Sequence, residues 1–484
     1  MVGITSYGVH VPRYRMDRKL IFEQTGWFNM ANAAYARGEK AVLNYDEDTI
    51  TMAASAVSEC LKGKGKGKGS LDGLFLASLS LPFAERQNSV IVSKALDCSS
   101  GIRTSDFTGS LRSGTAALLS ALDAVKDGGS VVSCASDCRM GKPGSSQEYT
   151  FADGAVAFMT GTENVIAEFK GSYSVAEDFI DSRRLPEERF SHTWEERWIR
   201  DEGYAKIIPA AVKGLFKKYN FGSKDFAKIV IGCPVAGVLK NLAKAIGAEP
   251  EQLQDNMIAN VGDTGVALPL MMFAAALEEA KPGDKILVVS YGYGSDALCF
   301  EVTDEIEKNR KGRKGVKEQI DSKANLAPYV KYLIFRNIIP LEVGIRGEEI
   351  SPTLMSVLWR QGREISGLVG TKCTACGTPQ YPPQTICVNP KCGAIGQMED
   401  YCFSDKVGTL NSYTGDNLAF TWDPPQLYGM VDFEGGGRIM LDLTDCTLDS
   451  LSVGMPVSLV FRKKYSDTRR GVYNYFWKAV PVKK

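Results

Sequence analysis

Residues 1–305 contain the same β-α-β run twice, and this duplication limits the folds open to the chain more than any other feature. Sliding the sequence by 155 positions without a gap brings Leu74-Phe-Leu76 onto Ile229-Val-Ile231. The same shift brings Ala116–Val125 onto Met271–Ala280, Lys126-Asp-Gly-Gly129 onto Lys281-Pro-Gly-Asp284, and Val131-Val-Ser133 onto Ile286-Leu-Val288. A strand, a buried helix and a second strand in the same order predict a pseudo-twofold α/β domain with its helices layered between two sheets. A helix begins near Ser110–Gly114 in the first copy and near Asp263–Gly265 in the second. In a duplicated fold these tips converge at the pseudo-axis. Unpaired helix-tip amides favour an oxyanion or an activated nucleophile, so an active site is expected there.

A second constraint lies near the C-terminus. Cys373-Thr-Ala-Cys376-Gly is followed, after ten residues, by Cys387-Val-Asn-Pro-Lys-Cys392-Gly. Two thiolate pairs, each closed by a tight turn, predict two knuckles around a tetrahedral zinc ion, with Gly377 and Gly393 at positive φ. Four cysteine ligands leave no open coordination position, so the ion is expected to be structural. Residues 326–398 are read as a helix plus this zinc ribbon, the helical part being 326–370 with Leu333, Ile334, Ile338 and Ile339 on one side. Residues 399–484 hold about five strands with short turns such as Glu434-Gly-Gly-Gly437, the pattern of a small OB-type β-barrel. The charged, Gly/Lys-rich stretch 306–325 is expected to be a solvated linker, and the Lys/Gly alternation at 62–69 a flexible surface turn.

Bulk properties exclude several functions. The chain has 484 residues, enough for two or three domains. Lys+Arg and Asp+Glu each number 57, which argues against a nucleic-acid or anionic-membrane surface as the main partner. No apolar run approaches the roughly 20 residues of a membrane span. The N-terminus reads as a strand and turn, not a signal peptide, and twelve cysteines in so long a chain fit a reducing, cytoplasmic setting. Histidine is scarce: only His10 and His192 are present.

Four segments carry a family likeness: Met1–Arg15, Asp46-Glu-Asp-Thr-Ile-Thr-Met52, Gly141–Thr150 and Ser290-Tyr-Gly-Tyr-Gly-Ser-Asp-Ala297. With the duplicated halves, they resemble the thiolase superfamily, and within it archaeal and bacterial 3-hydroxy-3-methylglutaryl-CoA synthase. Residues 326–484 resemble the rubredoxin-like zinc ribbon and OB-fold proteins that accompany thiolases and related acyl-CoA enzymes. The resemblance implies a coenzyme A thioester as substrate. It also implies a homodimeric core within a hetero-oligomer, with a thiolase subunit as partner.

Synthases of this kind use a glutamate, a cysteine and a histidine: base, acyl-carrying nucleophile and ketone-polarising acid. The cysteine's place before Gly114-Thr-Ala116 falls on Leu111, the glutamate's place in Ala77-Ser-Leu-Ser80 on Leu79, and the histidine's place before Pro234 on Gly232. Leucine has no lone pair, so no acyl-enzyme can form at 111. His192, Glu85 and Ser110 are the substitute catalytic candidates, with Asp296 a further titratable group. Asn260, Ser295 and Cys233 are the expected substrate and CoA contacts. The implied function is carbon–carbon chemistry on acyl-CoA (condensation, thiolysis or aldol and retro-aldol cleavage), alone or as a subunit of a thiolase complex. A non-catalytic subunit that stabilises an active thiolase is the alternative. Leu79 and Gly232 in place of polar side chains leave room for a larger acyl group.

Overall fold

The computed structural model describes residues 1–62, 71–235, 237–310, 312–342 and 352–482, so the alternation at 62–69 lies outside them apart from Lys62. The chain forms two units. One holds residues 1–43, 48–90 and 99–332; the other holds 44–47, 91–98 and 333–484.

In the first unit the repeat becomes a symmetric sheet. Its nine strands run in the order Lys228–Ile231, Lys285–Tyr291, Gly294–Val302, Ala167–Ala176, Gly3–His10, Gly154–Gly161, Val131–Asp137, Gly73–Ala77 and Arg103–Phe107. Each half has a corresponding parallel pair, Gly73–Ala77 with Val131–Asp137 and Lys228–Ile231 with Lys285–Tyr291, followed by antiparallel pairs, and the first half adds Arg103–Phe107 parallel to Gly73–Ala77 at its edge. The expected two sheets are joined edge to edge through just two residue pairs, Gly3 with Glu168 and Ile4 with Ala167.

Side-chain alternation then builds the layers. In the second half, Val230, Val288, Leu298 and Phe300 enter one core, which also takes in the duplicated helices Ser113–Ala124 and Leu268–Glu279. Their neighbours Ile229, Ile231, Leu287, Val289, Ala297 and Cys299 enter a second core under the helices Ala205–Tyr219 and Val238–Ile246. Strands apolar on both faces must be covered on both faces, as the repeat implied. Phe273 stands at the centre of the shared core, stacked on Phe158 and Phe300 at centroid distances of 5.2 and 4.8 Å.

Residues 306–325, read as a solvated linker, are instead part of the first unit. They form helices Ile306–Asn309 and Val316–Asp321, and a strand Ala324–Asn325 that pairs with Tyr14–Asp17. Ile306 and Val316 are buried. The basic residues bond to backbone: Arg310 Nη2 donates to Leu277 O at 2.6 Å, and Arg313 Nη1 to Tyr7 O at 2.7 Å. A guanidinium at the C-terminal end of Leu268–Glu279 satisfies carbonyls that the helix leaves open.

The second unit contains a three-stranded sheet, Pro379–Gln380, Val369–Cys373 and Met398–Cys402. It also contains the five expected strands, ordered Arg438–Asp442, Gln426–Phe433, Gly408–Asp416, Pro456–Asp467 and Val472–Pro481. A bridge between Leu443 and Ala479 draws the ends of that sheet together. Among the described residues between Tyr329 and Ile365 the helical segments are short: Tyr329–Phe335, Met355–Arg360 and Gly362–Ile365. Among the buried charges of this unit, Lys478 Nζ lies 2.9 Å from Asp46 Oδ2 and Arg462 Nη2 lies 2.6 Å from Asp445 Oδ2. Burial pushes the Asp46 carboxyl up, but Lys478 and then Arg462 outweigh it and hold the group below its ordinary value.

Phe273→Ala is expected to lower stability by about 3–5 kcal/mol, because the cavity it leaves lies between two packed rings. Denaturant unfolding of the full chain reads this out.

Candidate active site

The two duplicated helix tips meet, as the repeat predicts. A Cβ placed on Gly114 would stand 2.5 Å from Val266 O. Between the tips lies the fully buried carboxylate of Asp137, at the end of the strand Val131–Asp137. Asp137 Oδ1 accepts from the hydroxyls of Ser78 (2.9 Å) and Ser80 (2.7 Å) and from the amide of Leu79 (2.9 Å). Its Oδ2 accepts from Val266 N at 3.1 Å, so one carboxylate binds the first copy's strand-end loop to the second copy's helix tip. Gly265 is required here: its φ is +62° and a Cβ would fall 2.3 Å from Asp137 Oδ2.

Arg139 continues the network. It is buried, 2.7 Å from Asp263 Oδ2 and 3.8 Å from Asp137 Oδ2, with its guanidinium 4.0 Å from the centroid of the Phe151 ring. Burial alone would lower its pKa; Asp263 and Asp137 outweigh that and raise it. Above this floor opens a cavity of about 230 Å³, lined among others by Leu79, Ser110, Leu111, Arg139 and Asp181. The places expected for glutamate and cysteine therefore share one cavity.

The helix-tip amides are not the open oxyanion site that was expected. Ser110 N donates to Ser113 Oγ and Arg112 N to Ser110 Oγ, both at 3.3 Å. In the second copy Gly265 N donates to Asp263 Oδ1 at 2.9 Å and Val266 N to Asp137. Ser110 lines the cavity, but its hydroxyl donates to Gly292 O at 2.7 Å, a carbonyl that cannot serve as a base.

The remaining candidates lie elsewhere than in the cavity lining. His192 is exposed, with Nε2 2.9 Å from Glu188 Oε1, on a two-residue strand paired with Ser182–Arg183. Glu85 is exposed and Asn260 is exposed; the buried acid near the latter is Asp263, three residues on. Cys233 belongs to the apolar core, where burial pushes its thiol up to about 12, and it is not among the residues that line the cavity. Ser295 is buried and donates to Ser290 O at 2.7 Å, while Asp296 pairs with Arg112 at 2.9 Å. Gly232 leaves no room for a larger acyl group, because Pro269 stands 2.9 Å from where its Cβ would be. Sequence reasoning missed Arg139, Asp263 and Asp181, since in the sequence each is one charged residue among many.

In the second unit, the Sγ atoms of Cys373, Cys376, Cys387 and Cys392 lie within 4.8 Å of one another. The Cys373–Cys392 and Cys376–Cys387 separations are 3.9 and 3.5 Å. Zinc–sulfur bonds of about 2.3 Å place tetrahedral sulfurs roughly 3.8 Å apart, so the set fits zinc. Gly377 and Gly393 have φ of +75° and +58°, as the knuckle turns require.

Comparison with known proteins decides the family. The chain is 31% identical over 337 residues to hydroxymethylglutaryl-CoA synthase of Methanopyrus kandleri, covering 68% of this chain and 95% of that one. It is 32% identical over 342 residues to the Archaeoglobus fulgidus synthase, covering 69% and 97%. The chain belongs to the hydroxymethylglutaryl-CoA synthase family. Its fold also matches a crystal structure described as HMG-CoA synthase complexed with CoA, with a TM-score of 0.62 at 18% identity, over 73% of this chain and 95% of that one. Residues 360–395 match the family model "ChsH2, rubredoxin-like zinc ribbon domain", and residues 403–462 match "ChsH2, C-terminal OB-fold domain". The synthase-family body thus carries a zinc ribbon and an OB-fold in the same chain. Among the described residues no helix is long and apolar enough to cross a membrane.

Asp137→Asn is expected to destabilise this synthase-family unit by on the order of 3 kcal/mol, because an amide NH₂ would face donors that now meet a carboxylate. Thermal and denaturant unfolding should both register the loss.

Proposed function

We propose that this synthase-family chain makes or breaks a carbon–carbon bond beside the thioester of an acyl-CoA, by aldol-type chemistry without an acyl-enzyme. The observation that carries this reading is the pair Leu79 and Leu111 lining one cavity together with Arg139 and Asp181. Claisen condensation and thiolysis need a nucleophile that holds the acyl group, and neither leucine nor the hydrogen-bonded Ser110 can supply one. Aldol and retro-aldol steps need only an acid/base and a cationic or donor environment for the enolate oxygen. Arg139 supplies positive charge at the cavity, and the fold's likeness to a structure determined with CoA supports a CoA thioester as ligand.

The four cysteines would hold one zinc ion, Cys373 and Cys376 from one knuckle and Cys387 and Cys392 from the other. The ion supplies a structural crosslink in this reading, and the ribbon and OB barrel serve CoA handling or docking to a thiolase subunit around a homodimeric core. A cytoplasmic setting follows from the same reading. The alternative is a non-catalytic subunit that stabilises an active thiolase. It draws support from the absence of glutamate, cysteine and histidine from the cavity lining of the described residues.

Purified chain incubated with acetyl-CoA is expected to gain no acetyl mass, and to cleave a β-hydroxyacyl-CoA to a carbonyl compound and an acyl-CoA. An acetylated protein by intact mass spectrometry would sink the aldol reading. Activity found only after adding a thiolase, and unchanged by substitutions at the cavity, would favour the scaffold. Separately, zinc should copurify at about one equivalent per chain, and Cys387→Ser should lower bound metal and stability, read by elemental analysis and thermal unfolding.

A further inference from the structure

Asp181 is the only carboxylate among the described residues that line the cavity. It is 4% exposed, and its backbone is fixed from two sides: its N–H donates to Phe179 O at 3.0 Å and its carbonyl accepts from Trp194 N at 2.8 Å. One carboxyl oxygen accepts from Ser182 N at 2.6 Å. The residue immediately precedes the two-residue strand Ser182–Arg183, whose pairing with His192–Thr193 holds the hairpin in place. Two other acids in the same run, Glu177 and Asp178, are exposed. Burial pushes the Asp181 carboxyl above its ordinary value, against the opposing pull of Tyr291, the Ser182 amide and Arg139. A carboxylate so placed is a stronger base than one in water and is protonated closer to neutrality.

We propose that Asp181 is the acid/base of this cavity, taking the proton from the β-hydroxyl of a β-hydroxyacyl-CoA while the Cα–Cβ bond breaks. The oxygen's electron pair forms the new carbonyl, and the Cα–Cβ pair moves into the thioester as an enolate. The carboxylic acid then returns the proton to Cα. One β-hydroxyacyl-CoA gives one carbonyl compound and one acyl-CoA, with the carboxylate restored and no change of oxidation state overall. In the reverse direction the same carboxylate removes the Cα proton and, as the acid, protonates the new alkoxide. The inference rests on reading the cavity as an acyl-CoA aldol site, and it assigns to one aspartate the proton work that glutamate and histidine share in the family's usual set.

The groups facing Asp181 are Arg139, Tyr204, Tyr291 and Tyr293. Burial raises all three phenols, so they stay neutral while the carboxyl titrates. Retro-aldol activity is therefore expected to fall as pH drops and Asp181 takes up a proton.

The test uses the full chain with acetyl-CoA in D₂O, reading deuterium at Cα by mass spectrometry and acetyl-CoA binding by calorimetry. Wild type is expected to exchange the Cα protons, and Asp181→Asn to lose exchange by roughly 10²–10⁴-fold with unchanged binding and melting temperature. Asp181→Glu, which keeps the charge but moves it by a methylene, is expected to exchange more slowly than wild type with the same low-pH limb. Should Asp181→Asn fail to fold, Asp181→Glu decides: an unchanged rate overturns the proposal. Exchange by Asp181→Asn at the wild-type rate also overturns it. Binding by wild type without exchange overturns the role of Asp181 and leaves the CoA site standing. Failure of wild type to bind acetyl-CoA at all removes the functional reading itself.

Discussion

The Asp137 carboxylate is the joint on which the duplicated unit depends. A pseudo-twofold fold must place its two helix tips side by side, and each tip brings donors whose partners would otherwise have to be water. Asp137 meets the loop Ser78–Ser80 with one oxygen and Val266 N with the other, at the end of a strand buried on both faces. A side chain with four acceptor sites suits this position, and a neutral one of the same size does not. The same bonds fix the backbone of Leu79, and so fix what projects into the cavity. Gly265 follows from the carboxylate as well, since any larger residue would collide with it.

Arg139 extends that logic from folding to chemistry. A lone buried guanidinium would be costly, but Asp263 and Asp137 pair with it and Phe151 covers it. The arrangement holds a cation at the cavity independently of whether residue 111 is cysteine or leucine. The polar scaffold of the cavity floor thus rests on Asp137, Arg139 and Asp263 and not on residue 111. The Ser110 hydroxyl is directed to Gly292 O and so ties the cavity wall together.

Much of this architecture was legible. The 155-residue offset places the strand Gly73–Ala77 on Lys228–Ile231 and the helix Ser113–Ala124 on Leu268–Glu279, because buried α/β cores impose the same period-2 and period-3.6 patterns in both copies. The four cysteines were legible because metal geometry demands fixed spacing. The edge-to-edge joining of the half-sheets was not, since two backbone pairs at Gly3 and Ile4 leave no signature in side chains. The stretch 306–325 was misread because arginines that bond carbonyls and arginines that face water look alike in sequence. At the site, Leu79 and Leu111 could be placed by motif. Asp181 could not be distinguished from Glu177 and Asp178, as only burial separates them. Asn260 drew attention that belonged to Asp263 for the same reason.

The residues that line the cavity also bear on the kind of chemistry it suits. Leu79 and Leu111 put apolar side chains into the lining at the two places the resemblance gives to glutamate and cysteine. At Gly232, the place the resemblance gives to histidine, Pro269 stands 2.9 Å from where a Cβ would be. The cavity has a buried carboxylate, Asp181, and a paired cation, Arg139, in its lining, and each carries a desolvation cost that apolar packing would avoid. Asp181 is held by backbone bonds on a short hairpin, and burial raises its carboxyl in spite of the opposing Tyr291 hydroxyl, Ser182 amide and Arg139. In the proposed reading the cavity offers groups for proton transfer and none for acyl transfer, which is the combination an aldol-type step requires.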